Sequence, residues 1–227
     1  MAHIKAELLI LLVALGQGQR GGTSYKVGLP VVMEVLSRAQ VSGSLEYWGT
    51  CADGLDLPKL QSPQRIEDDP VEALRKIFAN NPNMEVRKGS TGMIRMVERD
   101  VPQDLLAVKI RRIPFGTAEP RELLTYDPRG ALQVILSTPE IVAFMKEHDI
   151  GPPYGLQDGS RTQSQPSPND PHISGNLDNV TLSEALDYVL RTFPGLWIYE
   201  NCPSRIRARG VVFVFYQNGP VWPLAWK

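Results

Sequence analysis

Carboxylates, cysteines and histidines are the side chains here that could do chemistry, and their spacing limits what that chemistry is. Asp68, Asp69, Glu140 and Glu147 sit near expected helix starts or ends. Acids of this kind could serve a hydrolase, one donating and one accepting a proton where their pKa values are split. No G-x-S-x-G nucleophile elbow and no phosphate-binding P-loop accompanies them. The three histidines, His3, His148 and His172, form no pair at helical spacing, and no Cys/His cluster has metal-ligand spacing, so no metal is expected. Cys51 and Cys202 are the only cysteines, and neither stands in a recognisable relation to a histidine. They read as a disulfide in an oxidising compartment or as two inert buried thiols in a reducing one. Gly16, Gly18 and Gly21 complete a formal G-x-G-x-x-G, yet no helix follows to present its N-terminal N–H groups to a pyrophosphate. No cofactor is expected.

Recognition chemistry is better represented. Trp48, Trp197, Tyr199, Trp222 and Trp226 are candidate contact residues for a protein or peptide partner. For Trp197 and Tyr199 the competing reading is that they fill their own core. A formal net charge of −1 supplies no attraction for phosphate backbones, so nucleic acid is not an expected partner.

The elements that must position these residues are organised by a repeat. Residues 71–86, VEALRKIFANNPNMEV, return as residues 183–198, SEALDYVLRTFPGLWI, at an offset of 183 − 71 = 112. Glu72, Ala73, Leu74 and Pro82 meet Glu184, Ala185, Leu186 and Pro194, while Ile77, Phe78, Met84 and Val86 meet apolar partners. Asp69 with Glu72, and Thr181 with Glu184, have capping-box spacing at a helix start, which explains both glutamates without catalysis. Each helix should feed a hairpin: 84–87 with 93–97 around a glycine-containing turn, and 196–199 with 211–216. The run 211–216 is apolar on both faces and reads as a central strand. Earlier in each half, Pro30 opens a helix over residues 30–39, and Pro139 opens one after Ser137 and Thr138. Residues 45–48 and 131–136 read as strands, and 105–113 as a further strand. Residues 49–69 and 155–176 are polar, proline-bearing connections.

Two modules of this kind suit a chain of 227 residues with 42% hydrophobic and 22% charged content. The expected fold is α+β, two similar small domains, each with two helices packed on small mixed β-sheets. Residues 24–115 form the first module, 116–129 a linker and 130–226 the second. Residues 1–18 have the layout of a signal peptide: His3 and Lys5, an apolar run over 8–15, then small and polar residues. That run is too short to span a membrane, so no integral membrane segment is expected in the mature chain.

The unit resembles the secretin and TonB N-terminal short domain, a signalling domain of bacterial envelopes. Residues 71–74 with 84–97 carry the resemblance in one copy, and 181–186 with 196–216 in the other, including Gly195-Leu-Trp-Ile-Tyr199. It covers about half the chain. It implies a sandwich of two helices with small sheets, a periplasmic or secreted location, and work done through protein contacts rather than catalysis. The alternative is a small secreted hydrolase using the acids above.

Overall fold

The computed structural model describes residues 29–49, 68–115, 125–151, 169–202 and 209–217. Five helices and seven strands fall among the described residues: α1 (Leu29–Arg38), β1 (Gly43–Trp48), α2 (Pro70–Ile77), β2 (Met84–Lys88), β3 (Ile94–Glu98), β4 (Lys109–Phe115), α3 (Pro128–Leu136), α4 (Pro139–Glu147), β5 (Gly175–Thr181), α5 (Leu182–Thr192), β6 (Gly195–Cys202) and β7 (Gly210–Gln217). The fold is mixed α and β.

Local signals set most of these elements. Asp69 caps α2 by accepting from the Val71 N–H, and Pro70 fills the first helical position, where its missing N–H costs nothing. Thr181 caps α5 with a complete box: Thr181 Oγ1 accepts from the Glu184 N–H at 3.2 Å, and Glu184 Oε2 accepts from the Thr181 N–H at 2.7 Å. The first box is not closed, because Glu72 pairs with Arg75 one turn along instead. Both hairpins form: β2 with β3, and β6 with β7. Gly92, at φ 83°, takes the left-handed conformation in the first turn that a β-carbon would resist.

The expected strand over 131–136 is instead part of α3. Asp127 accepts from the Arg129 N–H ahead of Pro128, so a helix is started before the apolar run begins. A short apolar run does not by itself separate a buried strand from a buried helix, and the cap decides. β5 begins inside the end of the polar connection expected over 155–176, where its Gly-Asn-Leu-Asp-Asn composition, poor in strand formers, gives no strand signal.

The strands of both halves share one five-stranded sheet in the order β2-β3-β1-β6-β7. β3, β1 and β6 run parallel, and β2 and β7 run antiparallel at the two ends. The division into two tandem modules is not confirmed: β1 pairs along its whole length with β6, from Gly43 opposite Leu196 to Trp48 opposite Asn201. β4 and β5, also from different halves, form a separate two-stranded ribbon. Gly43 permits the close approach at the start of β1, where a β-carbon would lie 2.8 Å from the Ile94 carbonyl oxygen.

A hydrophobic core lies on each side of the sheet. Residues of α1 and α2 pack with Leu45, Tyr47, Val86, Ile94, Met96, Leu196 and Ile198. On the other side α3, α4, α5 and the β4–β5 ribbon pack with Trp197, Tyr199, Val211, Phe213 and Phe215. Alternation along β6 therefore feeds both cores, and all eight of its residues are buried. β7 is at the end of the sheet, not its centre as its composition suggests. Its apolar character on both faces follows from the layers above and below: Phe213 and Phe215 enter one core and Val214 packs against the other.

Candidate functional site

Where partners can reach the sheet depends on which backbone groups its end strands leave unpaired. Along the β2–β3 ladder the Arg99 N–H donates to the Asn83 carbonyl at 2.9 Å, and the Gly89 N–H donates to the Met93 carbonyl at 2.7 Å. Bonded pairs alternate in an antiparallel ladder, so Glu85 and Arg87 turn their backbone groups inward to β3. Val86 and Lys88 then turn theirs outward, as does the Met84 carbonyl. The Met84 N–H is already held by the Asn81 carbonyl at 3.0 Å.

Side chains alternate with the same period. Val86 is buried beneath α2, whereas Glu85, Arg87 and Lys88 are exposed. Along the outer edge of β2, flanked by Arg75 of α2, lies an open groove of about 360 Å³ lined by Arg75, Met84, Glu85, Val86, Arg87 and Arg99. Two of its three arginines carry carboxylates of their own: Arg75 pairs with Glu72, and Arg87 with Glu85 at 3.9 Å. All four are more than half exposed, so these pairs contribute little to stability and are easily exchanged. An edge that no other described strand pairs, beside a helix-flanked groove, is the geometry that receives an added strand, with main-chain hydrogen bonds giving affinity and flanking side chains giving selectivity.

Only one of the aromatic candidates among the described residues reaches this surface layer. Trp48 is 36% exposed; its indole Nε1 donates to the Asp100 carbonyl at 3.0 Å and its backbone N–H donates to Glu98 Oε2 at 2.9 Å. Trp197 and Tyr199 are buried, which removes them as contact residues: each lies on the core face of a strand covered on both sides. Trp222, Trp226 and Cys51 lie outside the described residues, as do the Gly16-to-Gly21 motif and the N-terminal apolar run. Cys202 is buried and disulfide-bonded.

Trp197 and Tyr199 anchor two polar clusters that fasten the layers together. In the first, Arg95 of β3 reaches across the sheet face. Its guanidinium donates to Glu46 Oε1 at 2.9 Å, to Ser183 Oγ at 2.8 Å and to Asp187 Oδ2 at 2.7 Å. It stands 5.7 Å from the centre of the Trp197 ring, whose Nε1 donates to Asp187 Oδ1 at 2.9 Å. Burial pushes the Asp187 carboxyl above its ordinary value, opposed by Arg95 and by the Trp197 hydrogen bond. A perturbed buried acid can signal catalysis, but both oxygens of Asp187 are committed to holding α5 on the sheet.

In the second cluster Arg209 forks onto Asp104 with contacts of 2.7 and 2.6 Å and also donates to Tyr199 Oη at 3.1 Å. The hydrogen bond from Arg209 lowers the Asp104 pKa, and Asp104 in turn raises that of Arg209. Burial raises Tyr199. Among the described residues, Asn201 Oδ1 and Arg209 Nε are the buried side-chain atoms without a partner.

The acids considered for hydrolysis are not brought to one place. Asp69 caps α2 under one face of the sheet, while Glu140, in the first turn of α4 on the other face, accepts from the Arg111 N–H. Asp68 adjoins the cap, and Glu147 ends α4. His148 stacks on Phe144 and His172 lies against Tyr126. Among the described residues no group of three His, Cys, Asp or Glu side chains could hold a metal ion, and no helix is long and apolar enough to cross a membrane.

Sequence reasoning found β2 but not its place at the end of the sheet. The available signal was Met-Glu-Val-Arg-Lys itself: one inward apolar residue among charges, the composition of a strand with one open edge and one open face. Arg75 and Arg99 are joined to the site only by the packing of α2 and by the Asn83–Arg99 end of the ladder. Comparison with known proteins gives no match to a family model, to a curated protein or to a solved structure.

Proposed function

We propose that this chain is an exported, non-enzymatic protein-interaction and assembly module of a bacterial envelope, and that it docks its partner along β2. The observation that carries this reading is the outward-turned backbone of Val86 and Lys88 beside the α2 groove. Export is supported by the N-terminal layout of His3, Lys5 and the apolar run over 8–15. The resemblance of 71–97 and 181–216 to the secretin and TonB N-terminal short domain supports the envelope setting and work through contacts. We read the 112-residue recurrence as duplication of a helix–hairpin unit, α2–β2–β3 and α5–β6–β7, with the two copies built into a common sheet. The hydrolase alternative has no comparable support, since Asp69 and Glu140 are occupied on opposite faces.

Lys88→Pro tests the reading. Proline at this position removes an outward N–H and sets a ring against an incoming strand, while the Lys88 N–H is not needed for pairing with β3. Wild-type protein immobilised in a native envelope extract should retain a defined partner, identified by mass spectrometry, and Lys88→Pro should lose it while melting normally. Equal recovery by both proteins, or turnover of a small molecule with no partner retained, overturns the proposal.

A further inference from the structure

We propose that the strand received by β2 is β2 of a second copy, paired antiparallel about a twofold axis at Val86. This rests on the reading of β2 as the docking edge. Two identical antiparallel strands can be centred on Glu85, Val86 or Arg87 within this edge. Centring on Glu85 sets Glu85 against Glu85, and centring on Arg87 sets Arg87 against Arg87; like charges directly opposite one another are destabilising. Centring on Val86 sets Glu85 against Arg87 of the second copy and Arg87 against its Glu85. Both unlike-charge pairs fall on the face turned away from α2, because only Val86 of the three is buried beneath that helix.

The backbone accepts the same register. Val86 turns its N–H and C=O outward, so the two Val86 residues exchange both bonds. On either side the Lys88 N–H of one copy meets the Met84 carbonyl of the other. The Met84 N–H takes no part, being held by Asn81. Exchanging partners sacrifices little, since the Arg87–Glu85 contact within one strand is at 3.9 Å with side chains 59% and 62% exposed. An acidic peptide fits the edge less well than a second copy does, because it complements Arg87 but sets like charge against Glu85, whereas a second copy complements both. The paired sheet runs continuously from β7 of one copy to β7 of the other, with β2 against β2 at its centre. A seam this short predicts a weak pair, with a dissociation constant on the order of 100 µM.

Sedimentation of the purified protein across a concentration series up to about 1 mM, roughly ten times that dissociation constant, tests the proposal. Wild type should pass from monomer to dimer. Glu85→Arg and Arg87→Glu should each raise the dissociation constant at least about tenfold by placing like charges at both pairs. Both positions are exposed, so folding is retained. An equimolar mixture of the two variants should pair again, and the double variant should pair as wild type does. A wild type that stays monomeric throughout, or a mixture that fails to recover pairing, overturns the homotypic seam. If that happens while Lys88→Pro still strips a partner from the envelope extract, the docking edge stands with a different occupant. If Lys88→Pro also changes nothing, both readings fall.

Discussion

The α2–β2 unit and the α5–β6 unit start from nearly the same sequence and end in opposite situations. Their helices bury matching positions: Ala73, Leu74, Ile77 and Phe78 in one, Ala185, Leu186, Val189 and Leu190 in the other. Their strands do not match. β2 is five residues at the end of the sheet with only Val86 buried, whereas β6 is eight residues inside the sheet with every residue buried. At the shared offset Val86 faces its own helix, but Ile198 faces α1 and α2 across the sheet from α5. The difference teaches that a capped amphipathic helix is specified locally, while the burial of the strand it feeds is specified by what the rest of the chain stacks on it.

The strongest way to break the comparison is at the equivalent pair Glu85 and Trp197, since 197 − 112 = 85. Trp197→Ala should destabilise the protein by about 3–5 kcal/mol, opening a cavity and leaving Asp187 Oδ1 unpaired. Glu85→Ala should change stability by less than about 0.5 kcal/mol. Denaturant titration of both variants measures the contrast, and equal costs would mean that the two strands share an environment after all.

Next in size is Arg95→Met, which keeps the stem of the side chain and deletes the guanidinium. Glu46 and Asp187, both buried, would then face each other's layer without their cation, and a loss of about 2–4 kcal/mol is expected, somewhat below a fully buried pair because Arg95 is partly exposed. A loss under 1 kcal/mol would show that α5 is held by apolar packing alone.

The smallest contrast is between Glu184 and Glu72. Glu184→Gln should remove an acid-sensitive contribution to stability, because the Thr181 backbone hydrogen bond holds the Glu184 carboxyl below its ordinary value of 4.5. With the folded pKa lowered, the unfolded chain binds the proton more readily, so this contribution is present above pH 4.5 and lost as pH falls below it. Urea titrations at a series of pH values should therefore run flatter for Glu184→Gln than for wild type. Glu72→Ala, which breaks only an exposed pair one turn along α2, should cost about 0.5 kcal/mol or less at neutral pH.

What could be read directly from the residues was whatever is fixed within a few positions. Asp69-Pro70, Thr181 with Glu184, and the two hairpins are of this kind, and all are formed. The strand expected at 131–136 is helix because Asp127, a cap four residues upstream of the apolar run and followed by Pro128, outweighs the run itself. The sheet order could not be read at all, since nothing in Gly43-to-Trp48 names Leu196-to-Asn201 as its neighbour. The candidate site was missed for the same reason. An open edge is a property of sheet order, and two of the five aromatic candidates, Trp197 and Tyr199, are covered by the second layer.

β1 lies between β3 and β6, and the Gly195 N–H donates to Ser42 Oγ across 153 residues of chain. A polypeptide delivered N-terminus first has nothing to place on the far side of β1 until β6 (Gly195–Cys202) emerges. The first half must meanwhile keep Leu45 and Tyr47 from making wrong associations. Formation of the sheet then waits on closure of a loop spanning 153 residues, which leaves a window for a chaperone to hold the chain during synthesis.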